Sequence, residues 1–334
     1  MNIDKKTIIQ TILFAIIGIG LVYWRFNTLS ENDKNAMMDA FVSIKWRWLI
    51  PIGLVGFFSH YIRAVRWQMQ FKAVNMPYNT FYTFSAVMLG YLTNIFIPRL
   101  GEVSKCSAIV KYNGGNVDKV IGTAIAERIW DTICFTILTL LTLILQLNIL
   151  LPYAKEIANK ITSELYNNKG EINIIKIGIA IAALIVLIIG AIILYNKTRH
   201  TKIGKFINGI KTGLQSIILI KEKGVYLLYT LLLWGAYTAI AIMIFKAIPA
   251  TEHLPLIAGL TIITFGTFAM IVPAPGAIAY PIIVAPILQL YGTSAGVGQG
   301  YGWINWANQN LVVIFLGVAV MILLPIYKNR KHVK

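Results

Sequence analysis

The chain has 334 residues, 57% of them hydrophobic and only 13% charged, and its mean hydropathy is +0.70. That balance excludes an ordinary soluble domain and points to a single all-α, polytopic membrane domain. A net charge of +17 would suggest nucleic acid in a soluble chain, but no basic soluble domain remains here once the apolar runs are removed. The positive charge is therefore assigned to loops and anionic lipid headgroups, with no nucleic-acid partner.

The first apolar run, 7–24, follows Lys5 and Lys6 and lacks a small-residue cleavage pattern. It is expected to be a retained first membrane helix. The second run, 48–62, ends in "RAVRW" (63–67). Arg63 and Arg66 flank its inner end, and Trp67 reads as an interface anchor. Positive-inside anchoring accounts for the two arginines; headgroup binding is a second role open to them.

The third run, 81–97, passes Asn94 and breaks at "PRLGE", with Lys105 beyond. Pro98 lacks an N–H and clashes with the preceding turn, so it ends the incoming helix. Gly101 permits close backbone approach. Arg99 and Glu102, three apart, share a helical face and could pair. A helix starting here would offer free N–H groups to an anion, and Arg99 adds a planar donor fork suited to phosphate. The alternative is an internal salt bridge that locks the hairpin.

The run 120–151 carries "AERIWD" in its first turns. Glu127 and Asp131 are four apart on one face, and Arg128 lies between them. These carboxylates could take a cationic headgroup, carry a proton, or neutralise Arg99 or Lys105. After a further run at 174–195, the segment 201–223 spaces Ile203, Phe206, Ile207, Ile210 and Leu214 helically among lysines. It reads as an amphipathic helix in the cytoplasmic interface. Runs at 225–247, 256–272, 277–291 and 303–327 complete the chain. The last opens with "WINWANQN", whose amides could line a polar cavity or bond neighbouring helices.

Nine crossings would separate the termini, yet both ends are basic. One topology reconciles them: 81–115 enters from the cytoplasm, breaks and returns, and 256–291 does so from outside at "PAPG" (273–276). About six full crossings remain, both termini lie in the cytoplasm, and nineteen Lys and Arg face inside against nine outside. "IFIPRLGEV" and "MIVPAPGAI" place a proline and a glycine at matching offsets, the mark of an inverted-repeat transporter with two re-entrant hairpins of opposite sense. Two proline-kinked ordinary helices are the alternative. Cys106 and Cys134 form no metal or redox spacing, the histidines are scattered, and no nucleophile elbow or phosphate-binding loop occurs, so no cofactor, metal or catalytic residue is expected.

"RAVRW", "NIFIPRLGEVSK", "ERIWD" and "PAPGAIAY" followed by "LYG" resemble, in order and spacing over roughly residues 10–325, the lysylphosphatidylglycerol synthase transmembrane-region family of flippase-like membrane proteins. The resemblance implies lipid movement between leaflets. It does not extend to the aminoacyl-transferase domain of some members, for which this chain has no room. Arg99, Gly101 and Glu102 match its first motif, with Lys105 where arginine is usual. Glu127, Arg128 and Asp131 match its second. Pro275 and Gly276 match its third, where Ala277 and Ala279 replace glycines and Ile282 replaces a glutamate.

The expected function is a flippase or transporter, in the cell membrane, of an anionic or aminoacylated phospholipid or a polyprenyl-linked lipid. Its lipid site would draw on Arg63, Arg66, Asn94, Pro98, Arg99, Gly101, Glu102, Lys105, Glu127, Arg128, Asp131, Pro275 and Gly276. Two rivals stand beside it. A membrane enzyme acting on a lipid phosphate would use Glu102, Glu127 or Asp131 as base, and a scaffold subunit would have charges that only neutralise one another. The expected partners are membrane lipids, with a second copy of the chain or a lipid-synthesising enzyme left open.

Overall fold

The computed structural model describes residues 16, 19, 20, 22–97, 100–165, 215–271 and 276–332. Most of the run 7–24, the run 174–195, most of the segment 201–223, and both hairpin tips with Pro98, Arg99 and Pro275 lie outside the described residues. The described chain is helical, without strands. In order, its helices are α1 (Glu31–Val42), α2 (Leu49–Ala73), α3 (Thr80–Phe96), α4 (Gly101–Asn113), α5 (Val117–Leu145), α6 (Leu147–Leu165), α7 (Lys223–Ala247), α8 (Leu256–Ile271), α9 (Gly276–Gln289) and α10 (Ala295–His332). Among the described residues, four of them, α2, α5, α7 and α10, are long and apolar enough to cross a membrane, and α8 and α9 are shorter apolar helices. Large apolar side chains stand bare on the outside of these helices, for instance Ile144, Leu231 and Phe315, as a hydrocarbon solvent allows.

Side-chain caps start several helices. Ser30 accepts the Asp33 N–H at 3.2 Å, Asn79 accepts that of Phe81 at 2.7 Å, and Asn116 accepts that of Asp118 at 2.8 Å. The helices then pack in antiparallel pairs. In α3/α4 the rings of Tyr82 and Tyr112 lie 6.4 Å apart at one end, and the hydroxyls of Thr93 and Ser104 meet at 2.9 Å near the other. In α8/α9 the hydroxyls of Thr261 and Tyr291 meet at 2.7 Å, and Gly266 faces Tyr280. In α2/α7, Arg63 donates to the Tyr237 hydroxyl at 3.0 Å and Gln70 to that of Tyr226 at 2.7 Å.

Two apolar cores form at opposite ends of α2. Trp67, Phe71, Met88 and Ile109 fill one, between α2, α3 and α4. Ile52, Phe245, Ile262 and Tyr301 fill the other, between α2, α7, α8 and α10.

Several expected boundaries are corrected. The run ending at 62 continues to Ala73, because Arg63, Arg66 and Gln70 turn inward to polar partners. The run 120–151 breaks at Gln146 and restarts as α6. The last helix begins at Ala295, eight residues before the expected run 303–327, through a glycine-rich stretch. Those glycines form two interleaved close-packing ridges. Gly296 and Gly300 lie against Asp33 and Ala40 in α1, while Gly298 and Gly302 lie against Ala285 and Pro281 in α9. At the described end of the segment 201–223, only 215–218 are helical before α7 begins.

Candidate functional site: a buried ion cluster

On α2, Ser59, Arg63, Arg66, Trp67 and Gln70 follow helical spacing and are all buried. On α5, Thr123, Glu127 and Asp131 follow at intervals of four. These two stripes meet, and α4 adds Lys105 from a third side. Arg63 Nη1 donates to Glu127 Oε1 at 2.9 Å and to Asp131 Oδ2 at 2.8 Å. Arg66 Nη2 pairs with Asp131 Oδ1 and approaches Glu127 Oε1 at 3.6 Å. Lys105 Nζ donates to Glu127 Oε2 at 2.5 Å. Glu127 is completely buried, and Arg66 likewise. At the half-exposed edge, Arg128 Nε donates to Glu102 Oε1 at 2.9 Å. The second Glu102 oxygen has no hydrogen-bond partner among the described residues and faces Lys105 Nζ at 3.9 Å.

The cluster thus joins seven sequence-predicted residues: four cations (Arg63, Arg66, Lys105, Arg128) and three carboxylates (Glu102, Glu127, Asp131). Counted along α2 at 1.5 Å per residue, Arg63 lies about 15 Å from the Ala73 end. Burying ions at that depth is costly unless each is paired.

Two sequence expectations are overturned here. Arg63 and Arg66 are not simple interface anchors, because both are buried and ion-paired. Trp67 is not at an interface: it is fully buried, its indole N–H donates to Thr123 Oγ1 at 3.2 Å, and Lys105 Nζ sits 3.9 Å from its ring centroid. The cations that neutralise Glu127 include Arg63 and Arg66 as well as the expected Lys105.

Asn94 and Gly101 support the cluster without entering it. Asn94 Oδ1 accepts the Gly101 N–H at 2.7 Å, capping α4. Gly90 has Lys105 Cβ and the Gly101 carbonyl 2.9 Å from where its own Cβ would stand, so α3 and α4 touch backbone to backbone there. Gly276 begins α9. Pro98, Arg99 and Pro275 are outside the described residues.

Sequence reasoning found α7 as an apolar run but missed what it contributes to the cluster. Tyr226, Thr230 and Tyr237 lie within an apolar run, yet Tyr237 holds Arg63, Thr230 lies 3.5 Å from Arg66 Nη1, and Tyr226 lies under the Arg66 guanidinium. The recoverable signal is their polar stripe, spaced by four and seven on one helical face.

Contacts around the cluster recur in the other half at equal distances from helix starts. Gly90 and Gly266 lie ten residues into α3 and α8, and Lys105 and Tyr280 four residues into α4 and α9. Glu127 and Asn305 lie ten residues into α5 and α10, and Arg63 and Tyr237 fourteen into α2 and α7. Gly90 touches Lys105 as Gly266 touches Tyr280. Lys105 pairs with Glu127 as Asn305 donates to Tyr280. Asp131 and Gln309 also correspond, and Gln309 donates to Asn305 at 2.7 Å. The second half holds a neutral counterpart of the charged cluster.

Described residues that are helical and without strands, with four candidate spans among them and a buried ion cluster, define a multi-pass membrane protein. The chain belongs to the family whose model is described as the lysylphosphatidylglycerol synthase TM region, which matches residues 10–317. No curated protein and no solved structure matches it.

Proposed function

We propose that this chain moves an anionic or aminoacylated phospholipid, or a polyprenyl-linked lipid, between the leaflets of the cell membrane, and catalyses no covalent step itself. The observation that carries this reading is the imbalance of the cluster. Neutralisation alone calls for equal numbers, whereas among the described residues four cations here meet three carboxylates. Arg63 Nε and Arg66 Nε are buried without a hydrogen-bond partner among the described residues. An excess guanidinium at membrane depth with spare donors is suited to a lipid phosphate.

The recurring contacts support an inverted repeat in which α2–α5 and α7–α10 are equivalent and α3/α4 and α8/α9 are re-entrant hairpins of opposite sense. The antiparallel α2/α7 pair, with Arg63 and Tyr237 at equivalent positions and in contact, would then lie on the pseudo-two-fold axis. Such repeats rock against each other around a site near the midplane. The reading keeps both termini in the cytoplasm and takes membrane lipids as partners, with a second copy or a lipid-synthesising enzyme as further candidates.

A scaffold role is the second reading. It is favoured by one fact: each of the three carboxylates already has a cation beside it. Reconstitution into vesicles with a panel of fluorescent lipids tests the proposal. Protein-dependent movement of anionic lipids ahead of zwitterionic ones is expected; no acceleration of any lipid would contradict it.

A further inference from the structure

α5 carries buried polar side chains beyond the ion cluster. Asp131, Phe135, Thr142 and Gln146 are spaced by four, seven and four, so one face of α5 runs from the cluster to the end of the helix. α8 lies along that face. The rings of Phe135 and Phe268 stand edge to face, their centroids 4.8 Å apart. Beyond them the Thr142 and Thr264 hydroxyls meet at 3.0 Å, and the Tyr291 hydroxyl, just past α9, donates to Gln146 Oε1 at 3.3 Å. Thr142, Gln146 and Thr264 are all buried.

These hydroxyls hold the seam without depending on it. Thr142 also donates to its own Leu138 carbonyl at 2.8 Å, and Tyr291 also meets Thr261 within the α8/α9 pair at 2.7 Å. Thr264 has a carbonyl one turn back in its own helix to turn to, as Thr267 does at 2.7 Å. Parting α5 from α8 therefore strands no hydroxyl, which is the main cost of opening a polar contact in hydrocarbon.

The equivalent seam between α3 and α10 is built differently. Where α8 and α5 have Thr264 and Thr142, 8 and 25 residues into each helix, α3 and α10 have Met88 and Val320, both buried in an apolar core. Leu92 Cβ lies 2.9 Å from where a Cβ of Gly317 would stand, so these two helices interlock. The corresponding residues of the other seam are Phe268 and Thr139, and no glycine there lets the helices close as tightly.

We propose that the α5/α8 seam is a gate: the helices part from the Gln146 end, the Phe135–Phe268 ring pair is the last contact to release, and its release uncovers Asp131, while α3/α10 stays closed. The proposal concerns how the helices move and stands whatever the cluster receives.

Distances between paired spin labels on the full-length protein in lipid nanodiscs test it. Ile144 and Leu256 report on α5/α8, and Phe96 and Phe315 on α3/α10. All four are exposed, and labels carried on p-acetylphenylalanine leave Cys106 and Cys134 in place. Two distance populations are expected across α5/α8 and one across α3/α10. Thr142→Val keeps the shape and removes the hydroxyl bond across the seam, so it should raise the ratio of long to short distances by about three- to tenfold. The comparison of the two seams needs no change in the core, and it reads helix positions whether or not lipid crosses. A single population across α5/α8, a second population across α3/α10, or an unchanged ratio in Thr142→Val would overturn the proposal.

Discussion

Glu127 is the residue on which the cluster depends, and Glu127→Gln removes its charge while keeping its shape. The carboxylate is fully buried and takes Arg63 at 2.9 Å and Lys105 at 2.5 Å, with Arg66 at 3.6 Å. At an effective dielectric of about 20, one such pair near 3 Å attracts by roughly 5–6 kcal/mol. Desolvation offsets much of that in the intact cluster. The variant, however, leaves four cations against two carboxylates, and stranding buried charge costs about 3–5 kcal/mol. The expected result is an apparent Tm in detergent lower by roughly 4–7 °C. Lys105→Met in the Glu127→Gln background restores an excess of a single cation and should recover at least half of the loss. Thermal unfolding of wild type, both singles and the double measures this directly. A wild-type Tm for Glu127→Gln, or strictly additive losses in the double, would refute the reasoning.

Three further outcomes are expected. Gly298→Leu drives a side chain into α9, where Ala285 Cα already stands 2.9 Å from where a Cβ would be, so overpacking should cost about 1–3 kcal/mol, read as a lower Tm. The Lys45 ammonium, hydrogen-bonded to Glu252 at 2.7 Å, holds that carboxyl below its ordinary 4.5. The stability it contributes is therefore present above the unfolded-state value and lost as pH falls through the lowered one. In Lys45→Met the acid limb of a Tm-against-pH curve should flatten relative to wild type, and at high salt the two curves should converge. Cysteine labelling of intact cells should mark residues 28–44 from outside and leave residue 330 unlabelled; external labelling at 330 would defeat the topology.

The membrane class was legible in composition, and most helices in the apolar runs, because hydrocarbon imposes length and polarity on any spanning helix. The charged residues of the cluster stood out for the same reason: charge within such runs is rare. Their partners did not. Arg63 meets Glu127 and Asp131 across 64 and 68 positions of chain, and only tertiary packing sets that pairing. Tyr226 and Tyr237 were hidden because their strongly apolar neighbours dominate a hydropathy window, while the tyrosine hydroxyl does the bonding. Trp67 was misplaced because tryptophan beside arginine is the usual dress of an interface, and the same residues serve equally as a buried cation–aromatic contact. The last apolar run was begun at 303, eight residues late, since the glycines from 296 to 302 lower its hydropathy, but between packed membrane helices glycine permits close approach.

The central claim is that the cluster receives an anionic headgroup and does more than neutralise itself. Arg66→Met combined with Asp131→Leu removes one cation and one carboxylate together, so the excess of a single positive charge is kept and no charge is stranded. The measurement is the rate at which a fluorescent phosphatidylglycerol crosses the bilayer of vesicles holding wild type or this double variant, with Tm recorded on the same preparations. The account predicts a near-wild-type Tm and a crossing rate lower by about tenfold or more, because a phosphate-binding guanidinium is gone. Wild-type crossing in the well-folded double variant would contradict it.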